Sequence, residues 1–207
     1  MRDLVVSTFG KKEFAVRKGL NVCFLTDSMC RGIDQHFTNA YCWVHPGTTL
    51  VRSAHQHLHH LKRISGDTLV IIHIGTNDVA SGVSADTILQ RMADMVDRIS
   101  SFFKDKLYFA VSAVLPRFVD DKKTKHTVKR CNILLERWCG ERENMVFLQT
   151  WKAFVFRRDI RAGLFSADGL HLNRQGKLRL FDYFKHFLWN FCQFIVYVPS
   201  TKNKVIC

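Results

Sequence analysis

The sequence predicts a three-layer α/β domain, in which helices cover both faces of a parallel sheet. Three observations carry that expectation. Short, continuous apolar runs recur along the chain, amphipathic stretches separate them, and polar loops follow the runs. Runs of this kind suit strands buried on both faces, which is the pattern of a parallel sheet. Alternation with helices implies right-handed crossovers between strands.

The elements follow in order. Residues 21–26 (Asn-Val-Cys-Phe-Leu-Thr) form the first strand, and 40–44 the second. A helical pattern over 50–63 leads to a third strand at 67–74, all Val, Ile and Leu at its centre. Over 85–104, Ile88, Met92, Met95, Ile99 and Phe103 recur at three- and four-residue spacing, with Arg91, Asp94, Asp97 and Arg98 around them. That is an apolar stripe on a helix. A strand at 107–114, a helix over 127–139 and a strand at 145–149 follow. The last helix covers 173–191, with Asn173 as N-cap and Leu178, Phe181, Phe184, Leu188 and Phe191 facing inward. The expected organisation is an N-terminal extension over 1–19, one domain over 20–194 and a C-terminal tail over 195–207, whose apolar start at 195–198 suits an edge strand.

Composition bounds the function. The 207 residues fit one domain, and 47% apolar against 24% charged is the balance of a chain with a real core. With 3 prolines and 11 glycines, collagen-like and linker-dominated classes are out. No uncharged apolar run reaches the ~18 residues of a membrane span, and the N-terminus starts no secretory signal. Seven cysteines without a C-x-x-C pair give no zinc-ribbon or thioredoxin signature. The chain is therefore expected to be soluble and cytoplasmic, in a reducing compartment. Its formal net charge of +13 favours polyanions as partners, or serves solubility alone.

In open α/β sheets ligands bind outside the carboxyl ends of the strands. Asp27-Ser28 follows the first strand, His45-Pro46-Gly47-Thr48 the second and Gly75-Thr76-Asn77-Asp78 the third, while Asp168-Gly169-Leu170-His171 precedes the last helix. A serine on the first strand-to-helix turn presents its hydroxyl beside its own amide, as a nucleophile with an oxyanion donor requires. Gly47 permits close backbone approach, so its N–H is a second donor, and the Asn77 side chain is a third. His171 suits a general base and Asp168 its orienting acid. Together these groups make an acyl-transfer site. Each also has a plainer reading: Ser28 as a helix cap, Asn77 and Asp168 as turn residues, and His171 as a histidine at a helix start.

These four blocks, in this order and spacing, resemble the SGNH (GDSL-type) hydrolases over about residues 20–190. The resemblance implies a flavodoxin-like α/β/α sandwich with a five-stranded parallel sheet. It implies Ser28 as nucleophile, His171 as base, Asp168 as its partner, and oxyanion donors from Ser28, Gly47 and Asn77. It implies hydrolysis of carboxylic esters, acyl or acetyl, without a metal or other cofactor. Thr26 stands where the family's first block usually has glycine; a β-branched residue does not readily take a positive φ, and its bulk would crowd the hydroxyl. The basic balance is similar to that of the family's retroelement esterase-like members.

Three further features have readings of their own. In His55-Gln56-His57-Leu58-His59-His60, His55 and His59 share a helix face, but nothing acidic or sulfur-bearing completes a metal shell, and a solvated face is the better reading. Lys122, Lys123 and Lys125, then Arg157, Arg158 and Arg161, then Arg174 and Lys177 are expected to rim the crevice, steering an anionic substrate or holding a phosphate backbone. No RNA-recognition signature accompanies them. Phe154, Phe156 and Phe165 lie before Asp168 and suit the wall of an acyl pocket. The expected partner is a small acyl ester, with nucleic acid bound through the basic rim as the alternative.

Overall fold

The computed structural model describes residues 20–192, apart from residues 57 and 158. The expected extension over 1–19, the tail from 195, and Arg158 therefore lie outside the described residues. Five strands, β1 (Asn21–Thr26), β2 (Tyr41–Val44), β3 (Thr68–His73), β4 (Leu107–Ser112) and β5 (Met145–Leu148), form one parallel sheet in the order β2-β1-β3-β4-β5. This is the flavodoxin-like strand order, whose switch point lies between β1 and β3.

Burial of both faces explains the continuous apolar runs. Alternate residues of each strand enter two separate cores. On one face Cys23, Leu25, Val70, Ile72, Phe109 and Val111 pack with α1 (Leu50–Gln56), α4 (Ala85–Ser100) and α5 (Lys122–Gly140). On the other face Phe24, Leu69, Ile71, Ala110 and Leu148 meet α6 (Arg174–Cys192) and the 3-10 turn Ser28–Cys30.

The helices start on side-chain caps. Ser84 accepts from Thr87 N–H ahead of α4, Asp121 accepts from Thr124 N–H ahead of α5, and Asn173 Oδ1 accepts from Gly176 N–H ahead of α6. In α4 the stripe Ile88, Met92, Met95 and Ile99 is buried as its spacing predicts.

Some expectations need correction. Helix α5 starts at Lys122, five residues earlier than the pattern suggests, because the Asp121 cap outweighs the polar first turn. The pattern over 50–63 yields α1 and a second short helix, α2 (Leu58–Leu61). In α6, Leu178 is exposed, while Leu180 and Phe187 are buried with Phe181 and Phe184, so the inward face is rotated from the expected one. The helix α3 (Thr76–Ala80) and the hairpin β6 (Val155–Phe156) with β7 (Asp159–Ile160) are too short to show a period in sequence. Among the described residues no helix is long and apolar enough to cross a membrane. Cys23, Cys30, Cys42, Cys131 and Cys139 are free thiols.

Candidate active site

The carboxyl ends of β1 and β3 lie side by side, with Thr26 paired to His73 and to Val44 of β2. Thr26 remains extended strand, buried, with its hydroxyl donating to Trp43 O at 3.4 Å. Its position asks for no positive φ, so the threonine fits where a glycine was expected. The next residue, Asp27, caps the Ser28–Cys30 turn: its Oδ1 accepts from Met29 N–H at 2.9 Å. That turn holds Ser28 at the sheet edge, half-buried.

Asp27 is almost wholly buried, and desolvation pushes its carboxyl up to about 6. The Met29 N–H and the charge on His171 pull the other way, while Asp78 pushes it further up. Lys177, in the first turns of α6, likewise eases ionisation of the buried Cys30 thiol, whose burial raises it. The Ser28 turn and the start of α6 thus lie within electrostatic reach of one another.

Gly47 has φ +69°, a left-handed backbone that glycine adopts at little cost. It sits between β2 and α1, and the adjacent Thr48 carbonyl accepts from Asn77 Nδ2–H at 2.9 Å. This bond fixes the Asn77 amide beside the Gly47 loop and leaves its second N–H to another acceptor. Asp78, fully buried, ties the same pieces together. Its Oδ2 accepts from Leu50 N–H at 3.0 Å, and its Oδ1 from Arg91 Nη1 at 2.9 Å. The start of α1, the helix α3 and the stripe helix α4 therefore converge on one carboxylate.

Asp168 and His171 meet in a tight turn before α6. His171 Nδ1 is 2.7 Å from Asp168 Oδ2, and Asp168 Oδ1 accepts from Leu170 N–H at 2.9 Å and His171 N–H at 3.0 Å. The imidazole bond first, and those two amides next, hold the Asp168 carboxyl down at about 2. A carboxylate at Nδ1 selects the tautomer whose Nε2 is free to accept a proton. Gly169, at φ +61°, donates to Ser166 O, and its carbonyl accepts from Phe118 N–H at 3.0 Å. A Cβ at Gly169 would lie 2.6 Å from Val119 Cγ1. Phe118 and Val119 are half-exposed beside this turn, braced by the Arg117–Asp120 ion pair at 2.8 Å. Among the described residues Ser28 Oγ and His171 Nε2 are not hydrogen-bonded to each other. Such bonds often tighten only when substrate binds.

The remaining expectations resolve differently. Phe154 and Phe165 pack edge to face in the second core, whereas Phe156 faces outward, so the three do not together wall a pocket. Lys122, Lys123 and Lys125 lie on the first turns of α5, and Arg174 and Lys177 on the first turns of α6. Arg157 and Arg161 both stand over the Phe156 ring, at 5.2 and 5.3 Å. His55 lies 3.2 Å from Arg98 Nη1, and His60 stacks on Trp43. A buried chain went unread in the sequence: His73 Nδ1 is 2.7 Å from Ser112 Oγ, which is 2.9 Å from Thr150 Oγ1. Burial lowers His73 to about 4, so it is neutral there. Polar residues at the carboxyl ends of otherwise apolar strands were its only trace.

A parallel sheet of this order, with polar turns gathered at the β1–β3 switch point, defines the class of flavodoxin-like α/β folds that bind their ligands at the carboxyl edge of the sheet. Residues 31–179 match the model of the GDSL-like Lipase/Acylhydrolase family, well over half the chain, and the chain belongs to that family. The match spans Gly47, Asn77, Asp168 and His171 and begins three residues after Ser28. Solved structures agree in fold. A GDSL-like lipase from Bacteroides thetaiotaomicron has a TM-score of 0.69 at 18% identity, over 82% of this chain and 88% of that one. A carbohydrate esterase of family 3 from Talaromyces cellulolyticus has 0.68 at 15% identity, over 85% and 99%. An acetyl esterase solved with acetate has 0.65 at 15% identity, over 84% and 98%. The search of curated proteins found no match.

Proposed function

We propose that the chain is a serine esterase that hydrolyses carboxylic esters at the β1–β3 edge. Ser28 Oγ attacks the ester carbonyl carbon and passes its proton to His171 Nε2. Asp168 holds the ring and stabilises the imidazolium that results. The oxyanion is met by the Ser28 and Gly47 N–H groups and the free N–H of Asn77. Collapse expels the alcohol, which takes the proton from His171. Water, deprotonated by His171, then releases the acid and restores Ser28. Protein groups supply every proton transfer, with no metal or organic cofactor in the scheme. Phe118 and Val119 offer apolar surface to the acyl chain beside the His171 turn.

The observation that carries this reading is the 2.7 Å Asp168–His171 pair, which frees Nε2 as a base at the edge where Ser28 emerges. Family membership supports a hydrolase, and the three named neighbours are called lipase or esterase; none is named for binding nucleic acid. The test is hydrolysis of a short-chain nitrophenyl ester by the purified chain and its Ser28→Ala variant. The expected loss in kcat is at least a thousandfold. Equal rates from the two proteins would overturn Ser28 as nucleophile.

A further inference from the structure

Outside this edge the charge distribution contains a conflict. Arg161 leads the 3-10 turn Ala162–Leu164, and that turn packs directly on α6: Asn173 N–H donates to Leu164 O, and Asn173 Nδ2 to Gly163 O. The approach is so close that a Cβ at Gly176 would lie 2.1 Å from Leu164 O. Arg179 follows Gly176 by three residues and so shares its face of α6. The two arginines are close enough for the Arg161 charge to act against ionisation of Arg179, after the larger effect of desolvation.

Neither guanidinium has an acidic partner among the described residues. The Nε atoms of both are buried and lack any hydrogen bond. Asp182, one turn beyond Arg179, is engaged with Lys185 at 3.8 Å, and Asp159 is exposed in the β6–β7 hairpin. Two like charges whose Nε–H donors are buried and unsatisfied cost the protein stability, and an anion accepting from both relieves that cost.

A ring stands beside the pair. Phe156 is 55% exposed, a large apolar surface in water, with Arg157 and Arg161 over it. Arg157 holds φ +48°, where asparagine and glycine are the favoured residues and arginine is strained. The hairpin therefore spends backbone energy at the point where it places a third guanidinium beside Phe156.

We infer that Arg161 and Arg179 form a binding site for a dianionic phosphate group, with Phe156 as the platform for an organic moiety attached to it. Planar guanidinium forks match phosphate oxygens pairwise, and two adjacent positive charges match a dianion. Arg179 is the sixth residue of α6, ~7.5 Å along its axis from Arg174. None of Arg161, Arg179 and Phe156 belongs to the proposed Ser28–His171–Asp168 set, so phosphate binding is read separately from turnover.

The test uses the full chain carrying Ser28→Ala, so that binding is read without turnover. Thermal melting and calorimetric titration follow inorganic phosphate and phenyl phosphate, each against sodium chloride of equal ionic strength. Inorganic phosphate is expected to raise Tm above the chloride control. Arg179→Gln and Arg161→Gln are each expected to weaken binding at least tenfold while leaving the Tm of the free protein equal or higher. Phosphate that does no more than chloride, or binding that survives both substitutions together, overturns the site. A second readout needs no variant: the Nε–H resonances of Arg161 and Arg179 are expected to shift on adding phosphate, and unmoved resonances overturn it. Phenyl phosphate binding several-fold tighter than inorganic phosphate, with the gain lost in Phe156→Ala, supports an organic phosphate as the ligand. Equal affinities support free phosphate at the same two arginines.

Discussion

Asp78 and Asp168 are the same functional group set to opposite tasks by their surroundings. Asp78 is wholly buried and spends both oxygens on the frame, gripping the start of α1 and Arg91 of α4. Asp168 is 44% exposed at its side chain and spends one oxygen on its own turn and the other on His171. Asp27 is a third case, buried like Asp78 but with its known bond made only to Met29 N–H, and its carboxyl is pushed up where that of Asp168 is held down. Burial ties one carboxylate into the frame, and a hydrogen-bonded turn at the surface leaves the other to orient an imidazole.

Substitutions test that contrast. The largest effect is expected for Asp168→Asn, which keeps the turn's shape and loses the tautomer: kcat for a nitrophenyl ester falls by about 10³–10⁴, while Tm scarcely moves. A Tm loss matching that of an Asp78 variant would break the comparison. Asn77→Ala removes a proposed oxyanion donor and lowers kcat by roughly a hundredfold or more, with circular dichroism unchanged. Asp78→Ala reverses the pattern. It strands Leu50 N–H and Arg91, and urea denaturation is expected to lose ~3 kcal/mol, the low end of the usual cost of breaking a buried pair because Arg91 is partly exposed. Activity per folded molecule is expected to fall far less than in Asp168→Asn.

Asp27→Asn is read only through the pH dependence of stability and has the clearest sign. The folded carboxyl titrates near 6 and the unfolded one near 3.8, so its contribution to stability is full below pH 3.8 and is lost as pH rises through 6. The asparagine is therefore expected to be more stable at pH 8, by on the order of 3 kcal/mol, with the gain vanishing towards pH 4. His73 acts in the opposite sense. Its folded value of about 4 lies below the ordinary 6.5, so its contribution is present above 6.5 and is lost as pH falls through 4. The two slopes oppose each other between pH 4 and 6, and Asp27→Asn is expected to expose a steeper acid loss in a pH series of melts.

The sheet was legible because burial on both faces writes itself into sequence as unbroken apolar runs, and β1 has the very bounds its run predicts. The Asp168–His171 pair was legible for a related reason: its members stand three positions apart in one turn. Asp78–Arg91 and Arg161–Arg179 were not, since each joins residues from different elements whose approach depends on how helices pack. The hairpin β6–β7 is two residues a strand, below any period. The outward Leu178 shows the limit within a single helix, where a run rich in Leu and Phe supports more than one inward face.

The turn that carries Asp168 and His171 also has a kinetic meaning. Its bonds, Gly169 to Ser166, Ser166 to His171, and Leu170 and His171 to Asp168, all close within residues 166–171, and the bridge Phe165–Leu172 seals its base. Loops this short form at little entropic cost. Gly47 and Asn77, by contrast, come into register only after three strands, parted by the segments 27–40 and 45–67, have paired. The Asp168–His171 turn is therefore expected to form early along the folding path, and the Gly47–Asn77 contact only with the sheet.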